Sequence, residues 1–258
     1  MALYQKYFSI HIKSEMQFKL SFFLVTAGQF LTAFSTFLGI YFMFLRFNTI
    51  AEFKYEEVLL CFATMTMAFS LAELFGSGLL NLPRMLGNGE FDRILVRPCS
   101  PVFQVVASKV DSSRLGLFVQ AIIVLCYTIP ISGVVWTWDK IVTLVLMITC
   151  GFLVFMSLCL VQASFSFFTI EGLEFMNILT YGGKEFGRYP YSIYGKDILK
   201  FLTFVIPLAL FQYYPLLYLL GIEQSKLYML SPLISLLFIA PCYMFFRFGL
   251  RHFKSTGS

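Results

Sequence analysis

Charged residues are scarce in this chain. Only 13% of its 258 residues are Asp, Glu, Lys or Arg, whereas 59% are hydrophobic and 32 are Phe. Soluble globular domains contain about 25% charged residues. The composition therefore excludes an ordinary soluble domain and predicts an all-α integral membrane protein.

Catalytic motifs are also missing. The two histidines, His11 and His252, lie near the ends of the sequence, and there is no His-Glu-x-x-His or Gly-x-Ser-x-Gly motif. The pair Gly183-Lys184 resembles the end of a phosphate-binding loop, but Glu185 follows where Ser or Thr is required. The six cysteines are scattered without a Cys-x-x-Cys pattern, which favours buried apolar side chains. We predict that the chain is not an enzyme and itself binds no metal or cofactor.

Long apolar runs dominate what is present. Six of them meet the requirement of about 20 apolar residues for crossing the bilayer, and they cover residues 20–45, 58–80, 115–135, 141–168, 201–220 and 227–248. Residues 1–19 mix aromatic and basic side chains at helical spacing, which predicts an interfacial helix. A cleaved signal peptide is disfavoured because no apolar core precedes a small-residue site. Residues 1–258 are thus expected to form a single transmembrane domain.

The basic residues predict the orientation of these spans. With six spans, fifteen of the nineteen Lys and Arg residues fall on one side. Because basic residues accumulate on the cytoplasmic side, both termini and the two large polar loops, 81–114 and 169–200, are expected to be cytoplasmic. The net charge of +5 is then membrane-surface charge, and a nucleic-acid partner is not expected.

The densest cluster of mixed charge is the segment Gly87 to Pro98. Its glycines allow a turn, and Glu90 and Asp92 follow where the first turn of a helix favours negative charge. Arg93 and Arg97 lie one helical turn apart, and the closing proline cannot continue a helix. The pattern predicts a short amphipathic docking helix at the membrane surface.

Polar side chains also occur within the predicted spans. They form a stripe on span two and another on span one, with two further residues on span five: Thr66, Ser70, Glu73 and Ser77; Gln29, Thr32 and Thr36; Gln212 and Tyr213. Intramembrane acids are expensive and face protein or water. Two interpretations of these residues stay open: they form helix-packing faces, or they line a translocation path in which Glu73 could couple protons.

A resemblance to a known family is carried by Gly89-Glu90-Phe91-Asp92-Arg93-Ile94-Leu95-Val96-Arg97-Pro98 and the six spans. Together with Tyr189-Pro190, Ile206-Pro207 and Tyr213-Tyr214-Pro215, these features resemble the permease subunits of ABC transporters of the type-2 exporter class, in a poorly characterised bacterial branch. The resemblance implies an ATP-driven exporter in the bacterial cytoplasmic membrane.

The resemblance also implies partners. The first cytoplasmic loop would act as a coupling helix on a separate ATP-binding subunit, which would hold the ATP and Mg²⁺. The coupling residues would be Gly89, Glu90, Phe91, Asp92, Arg93, Leu95, Arg97 and Pro98. A second permease, identical or unlike, would complete the path, and the polar stripes would line it.

Two other functions remain alternatives at this point. One is an ion- or proton-coupled secondary transporter that uses Glu73. The sequence shows no evident inverted repeat, which is common in such transporters. The other is a membrane scaffold in which the polar stripes are assembly faces alone.

Overall fold

The computed structural model describes residues 7, 9–11, 13–14, 16–50, 53–169 and 174–253. Across these ranges the regular structure is helical, apart from a β-bridge between Ile50 and Phe53. Of the predicted interfacial helix 1–19, residues 1–6, 8, 12 and 15 lie outside the described residues, while 7, 9–11 and 13–14 are helical. At its end, a 3₁₀ turn, Met16–Phe18, leads into the first long helix.

Thirteen α-helices occur in the described ranges. In chain order they are α1 (Lys19–Arg46), α2 (Tyr55–Leu80), α3 (Leu82–Gly87), α4 (Glu90–Leu95), α5 (Pro101–Ser108), α6 (Leu115–Ile131), α7 (Trp138–Phe165), α8 (Glu174–Asn177), α9 (Gly183–Phe186), α10 (Lys196–Phe204), α11 (Leu208–Leu220), α12 (Lys226–Ser235) and α13 (Ile239–His252). A π-helical turn, Ile178–Gly182, joins α8 to α9, and a 3₁₀ turn, Leu236–Phe238, joins α12 to α13.

Five helical stretches are long and apolar enough to cross a membrane: α1, α2 with its extension to Gly87, α6, α7, and α12 with α13. The bent pair α10–α11 would make a sixth. The chain is therefore a multi-pass membrane protein.

Helix α2 is the centre of the bundle. Most of its residues are buried, because α6, α7 and α11 pack around it. Helix α1 lies at the edge against α6, and of its 28 residues only Ala33 and Ile40 are buried. The apolar surface that α1 leaves exposed suits contact with lipid or with another membrane subunit.

The two ends of α7 define the two ends of the bundle. Helix α13 ends near the end of α7, since the rings of Phe165 and Phe245 lie 4.9 Å apart and the ring of Phe168, just after α7, lies 6.4 Å from that of His252. The segment α12–α13 therefore runs in the same direction as α7. Between these two helices, the chain must return from the Phe165 end of the bundle to the Trp138 end.

Residues 174–194, here called the inserted segment, make this return. Asn177 lies within 3.4 Å of Gln162 near the end of α7, and the ring of Tyr181 lies 5.4 Å from Phe69 in the middle of α2. Further along, the Gly187 carbonyl accepts a hydrogen bond of 3.5 Å from Gln212. The segment thus runs along α2 in the antiparallel direction.

Close packing fixes the inserted segment against α2. A Cβ atom on Gly187 would lie 1.9 Å from the Cε of Met65 and 2.8 Å from the hydroxyl of Tyr191, so a larger residue there would force these side chains to move. The sequence predicted residues 169–200 as a cytoplasmic loop. In the structure, residues 174–194 of this stretch pack along the bundle, whereas Lys196, Asp197 and Lys200 on α10 are exposed.

The predicted fifth span, 201–220, also differs in the structure. Helices α10 and α11 meet at 113° around Pro207, which has no N–H to continue a helix. Leu208 packs with Phe155 in the middle of the bundle, whereas Leu219 packs with Val58 near the Trp138 end. The pair therefore turns back sharply at Pro207 and is not a straight span.

Candidate functional site

A helical surface at the Phe165 end of the bundle carries the motif that the sequence singled out. Gly89 has φ of 69°, a left-handed conformation that glycine adopts without strain, and this turns the chain from α3 into α4. Glu90 and Asp92 occupy the first turn of α4, where the helix dipole favours negative charge. The predicted short helix is thus present at Glu90–Leu95.

Helix α4 is held rigidly by its apolar side. The ring of Phe91 is fully buried, 5.5 Å from that of Phe167 and 5.2 Å from that of Phe253. The Gln104 amide of α5 donates to the Ile94 carbonyl at 3.1 Å and to the Cys99 carbonyl at 2.9 Å. Phe91 therefore positions the helix and is not itself available to a partner.

The opposite side of α4 is exposed. The exposed members of the predicted coupling set are Glu90, Arg93, Leu95, Arg97 and Pro98. Val96, between two of them, is 84% exposed. A cleft of about 230 Å³ between α4 and α5 is lined by Glu90, Arg93, Arg97, Gln104 and Ser108 among others. This surface, 89–98, combines charge, a groove and a small apolar area, as reversible protein interfaces do.

Glu73 is paired within the protein. Its carboxylate, with the side chain 4% exposed, lies 3.2 Å from the guanidinium of Arg114, which also contacts Asp111 at 3.2 Å. Arg114 further donates to Gln29 at 3.5 Å. An ion pair at this depth compensates the buried acid.

The remaining polar residues of span two are also buried in packing. Thr66, Ser70 and Ser77 are less than a tenth exposed, and the Ser77 hydroxyl donates to the Lys109 carbonyl at 2.9 Å. This contact ties the segment after α5 to α2.

The stripe on span one does not meet the stripe on span two. Thr32 donates to the Gly28 carbonyl at 2.9 Å and Thr36 donates to the Thr32 carbonyl at 3.2 Å, both within α1. Such bonds satisfy the hydroxyls on an exposed helix face. In the described part of the chain, Gln29 connects this stripe to Glu73 through Arg114.

The two residues from predicted span five have separate surroundings. Gln212 is buried and donates to the Cys61 carbonyl at 2.8 Å and to Thr64 at 3.1 Å, so it fixes α11 against α2. Tyr213 instead lines a cavity of about 490 Å³ near the Trp138 end, together with Tyr228 and Glu223.

The sequence reasoning missed one charged cluster. Lys184, Glu185 and Arg188 of the inserted segment form ion pairs, with Lys184 3.4 Å from Glu185, and both cations lie over aromatic rings of α2. A usable signal was the spacing of Arg188 and Glu185, which is that of a helical pair. Across the described residues, no group of three or more His, Cys, Asp or Glu side chains is arranged to hold a metal ion.

The described residues thus form a helical membrane domain with an exposed, charged surface helix at one end. The model of one family, the ABC-2 family transporter proteins, matches residues 30–257. The chain belongs to this family and is an ABC-2 type permease. No curated protein and no solved structure matches it.

Proposed function

We propose that this chain is the permease subunit of an ATP-driven exporter, and that surface 89–98 couples it to a separate ATP-binding subunit. The observation that carries this proposal is the rigid anchoring of α4 by Phe91, with Arg93 and Arg97 exposed on the other side. A firmly held helix can transmit the closure of ATP-binding subunits to the spans. In this arrangement the Phe165 end is cytoplasmic, ATP and Mg²⁺ belong to the partner, and the membrane is the bacterial cytoplasmic membrane.

A second permease completes the transport path in this proposal. Six or fewer spans are half of such an exporter, and α1 exposes an apolar face that a second permease or lipid would cover. Either an identical copy or an unlike subunit satisfies this requirement.

The function of Glu73 distinguishes this proposal from a proton-coupled transporter. A coupling acid must exchange its proton during the cycle, whereas Glu73 is paired with Arg114 at 3.2 Å and is closed off from solvent. Its role in the proposal is therefore to hold α2 against the segment that precedes α6.

The test is co-purification with the ATP-binding subunit. The tagged chain is isolated in mild detergent, and an ATP-binding protein is expected in stoichiometric amount. The double variant Arg93→Glu with Arg97→Glu is expected to lose this subunit, because reversed charges oppose a complementary surface. The matched control is Arg46→Glu, an exposed arginine at the C-terminal end of α1. Undiminished association and ATP-driven transport by the double variant would contradict the coupling assignment.

A further inference from the structure

The charged cluster of the inserted segment lies at a depth where charge is costly. Lys184 has its ammonium 4.7 Å from the ring of Phe69, and the Arg188 guanidinium lies 5.8 Å from the ring of Phe62. Both rings belong to the part of α2 that packs within the bundle. Phe69 lies near the middle of α2 and Phe62 lies seven residues from its Tyr55 end, so the cluster lies between the middle and that end of α2.

One side of this cluster is open at that depth. The Glu185 side chain is 50% exposed, and the neighbouring Phe186 is 41% exposed. A half-exposed carboxylate facing hydrocarbon would be strongly unfavourable. This side of the protein consequently faces water or polar groups, as the wall of a transport path does.

The cluster has an excess of positive charge. Within the inserted segment, Lys184 and Arg188 share the single carboxylate of Glu185; the nearby Glu73 also acts on Lys184 but is paired with Arg114, which contacts Asp111 as well. The Nε atom of Arg188 is buried and has no hydrogen-bond partner within the described ranges. The Nε–H group of Arg188 can therefore still donate a hydrogen bond to a further anion.

We infer that Lys184 and Arg188 bind the anionic headgroup of an amphiphilic cargo, with Glu185 occupying their donors until the cargo arrives. Guanidinium and ammonium groups are the usual ligands of phosphate and carboxylate. Aromatic rings beside them, including Phe186 and Tyr194 at 4.9 Å from each other, suit an adjoining alkyl chain. This inference rests on the proposed export function and names its substrate class.

The test uses direct binding of dodecyl phosphate to the purified full chain in nanodiscs of zwitterionic lipid. Dodecyltrimethylammonium, with the same chain length and opposite charge, is the matched ligand control. Lys184→Gln and Arg188→Gln are each expected to weaken dodecyl phosphate binding about tenfold or more, which is the value of a charge-assisted hydrogen bond. Glu185→Gln is expected to strengthen binding, because it releases both cations.

The opposite signs of these effects separate a binding site from a structural cluster. Lys200→Gln, on α10 with a side chain that is 70% exposed, is the matched control and is expected to change nothing. Equal binding of both amphiphiles, or weaker binding by Glu185→Gln, would overturn the inference. So would loss of the second permease from Lys184→Gln without any effect on binding, since the cluster would then be a subunit contact.

Repeating the binding measurement with a nucleotide analogue distinguishes a cargo site from a site for a permanently bound lipid. In the complex with its ATP-binding subunits, a non-hydrolysable ATP analogue is expected to lower the affinity for dodecyl phosphate. Unchanged affinity would identify a fixed lipid site and reject the cargo role. Because the binding arm needs only the permease, failure to find an ATP-binding subunit would reject the proposed function and leave the headgroup site standing.

Discussion

Two polar segments of this protein have similar composition and opposite locations. Residues 81–114 and 169–200 both mix arginine, lysine and acids, and both separate long apolar runs. The first forms α3, α4 and α5 at the Phe165 end, with exposed charges. Residues 174–194 of the second enter the bundle and pack along α2. Charge content alone therefore does not determine how deep a segment lies in a membrane protein.

The two segments differ in the surroundings of their charged side chains. On surface 89–98 the arginines are exposed, and one apolar side holds the helix. In the inserted segment, Glu185 pairs with two cations, and these also rest on aromatic rings. Pairing and cation–π contact reduce the cost of burial. Tyr191 and Met176, both almost fully buried, then supply the packing that holds the segment inside.

The largest expected effect tests this packing. Tyr191→Ala is expected to lower the free energy of unfolding by about 3–5 kcal/mol, because it leaves a cavity against α2. Thermal or denaturant unfolding in detergent measures the change. Truncating a tyrosine on a surface loop would change the free energy of unfolding very little. A change below about 1 kcal/mol would therefore contradict the buried location of Tyr191.

Two variants sharpen that measurement. Phe186→Ala is the matched control, since Phe186 lies in the same segment and is 41% exposed. Tyr191→Phe is expected to be neutral or mildly stabilising. Its hydroxyl is buried and finds no partner in the described part of the chain, and an unpaired buried hydroxyl is unfavourable.

The next effect concerns the ion pair that joins the first polar segment to α2. Arg114→Gln is expected to destabilise the protein by about 3 kcal/mol, because it leaves Glu73 buried without its cation. Glu73→Gln is expected to cost less, since Arg114 keeps Asp111 at 3.2 Å. The double variant is expected to cost less than the sum of the two. Additive effects in unfolding measurements would show that the two side chains do not interact.

Sequence reasoning predicted the parts of this fold that depend on local pattern. The apolar runs on α1, α2, α6 and α7 indicate the long helices, and Gly89 with the following acids indicates α4. The inserted segment was missed because the compensation for Lys184 and Arg188 comes partly from Phe69 and Phe62, more than a hundred residues away. Hydropathy likewise cannot show that Pro207 folds an apolar run back on itself.

The same limit applies to the candidate site. The sequence located surface 89–98 but could not separate its anchor, Phe91, from the exposed residues, since burial depends on Phe167 and Phe253. The pairing of Glu73 with Arg114 across 41 positions of sequence was beyond any local pattern.

The smallest expected change in stability completes the comparison. Arg93→Glu with Arg97→Glu is expected to alter the free energy of unfolding by no more than about 0.5 kcal/mol, because both side chains are exposed. Unfolding of the isolated permease measures this, with Arg46→Glu as the control. Loss of the ATP-binding subunit without loss of stability would assign the two arginines to an interface. A large loss of stability would instead mean that the two arginines hold α4 in place. The charged residues of both polar segments would then serve to stabilise the fold.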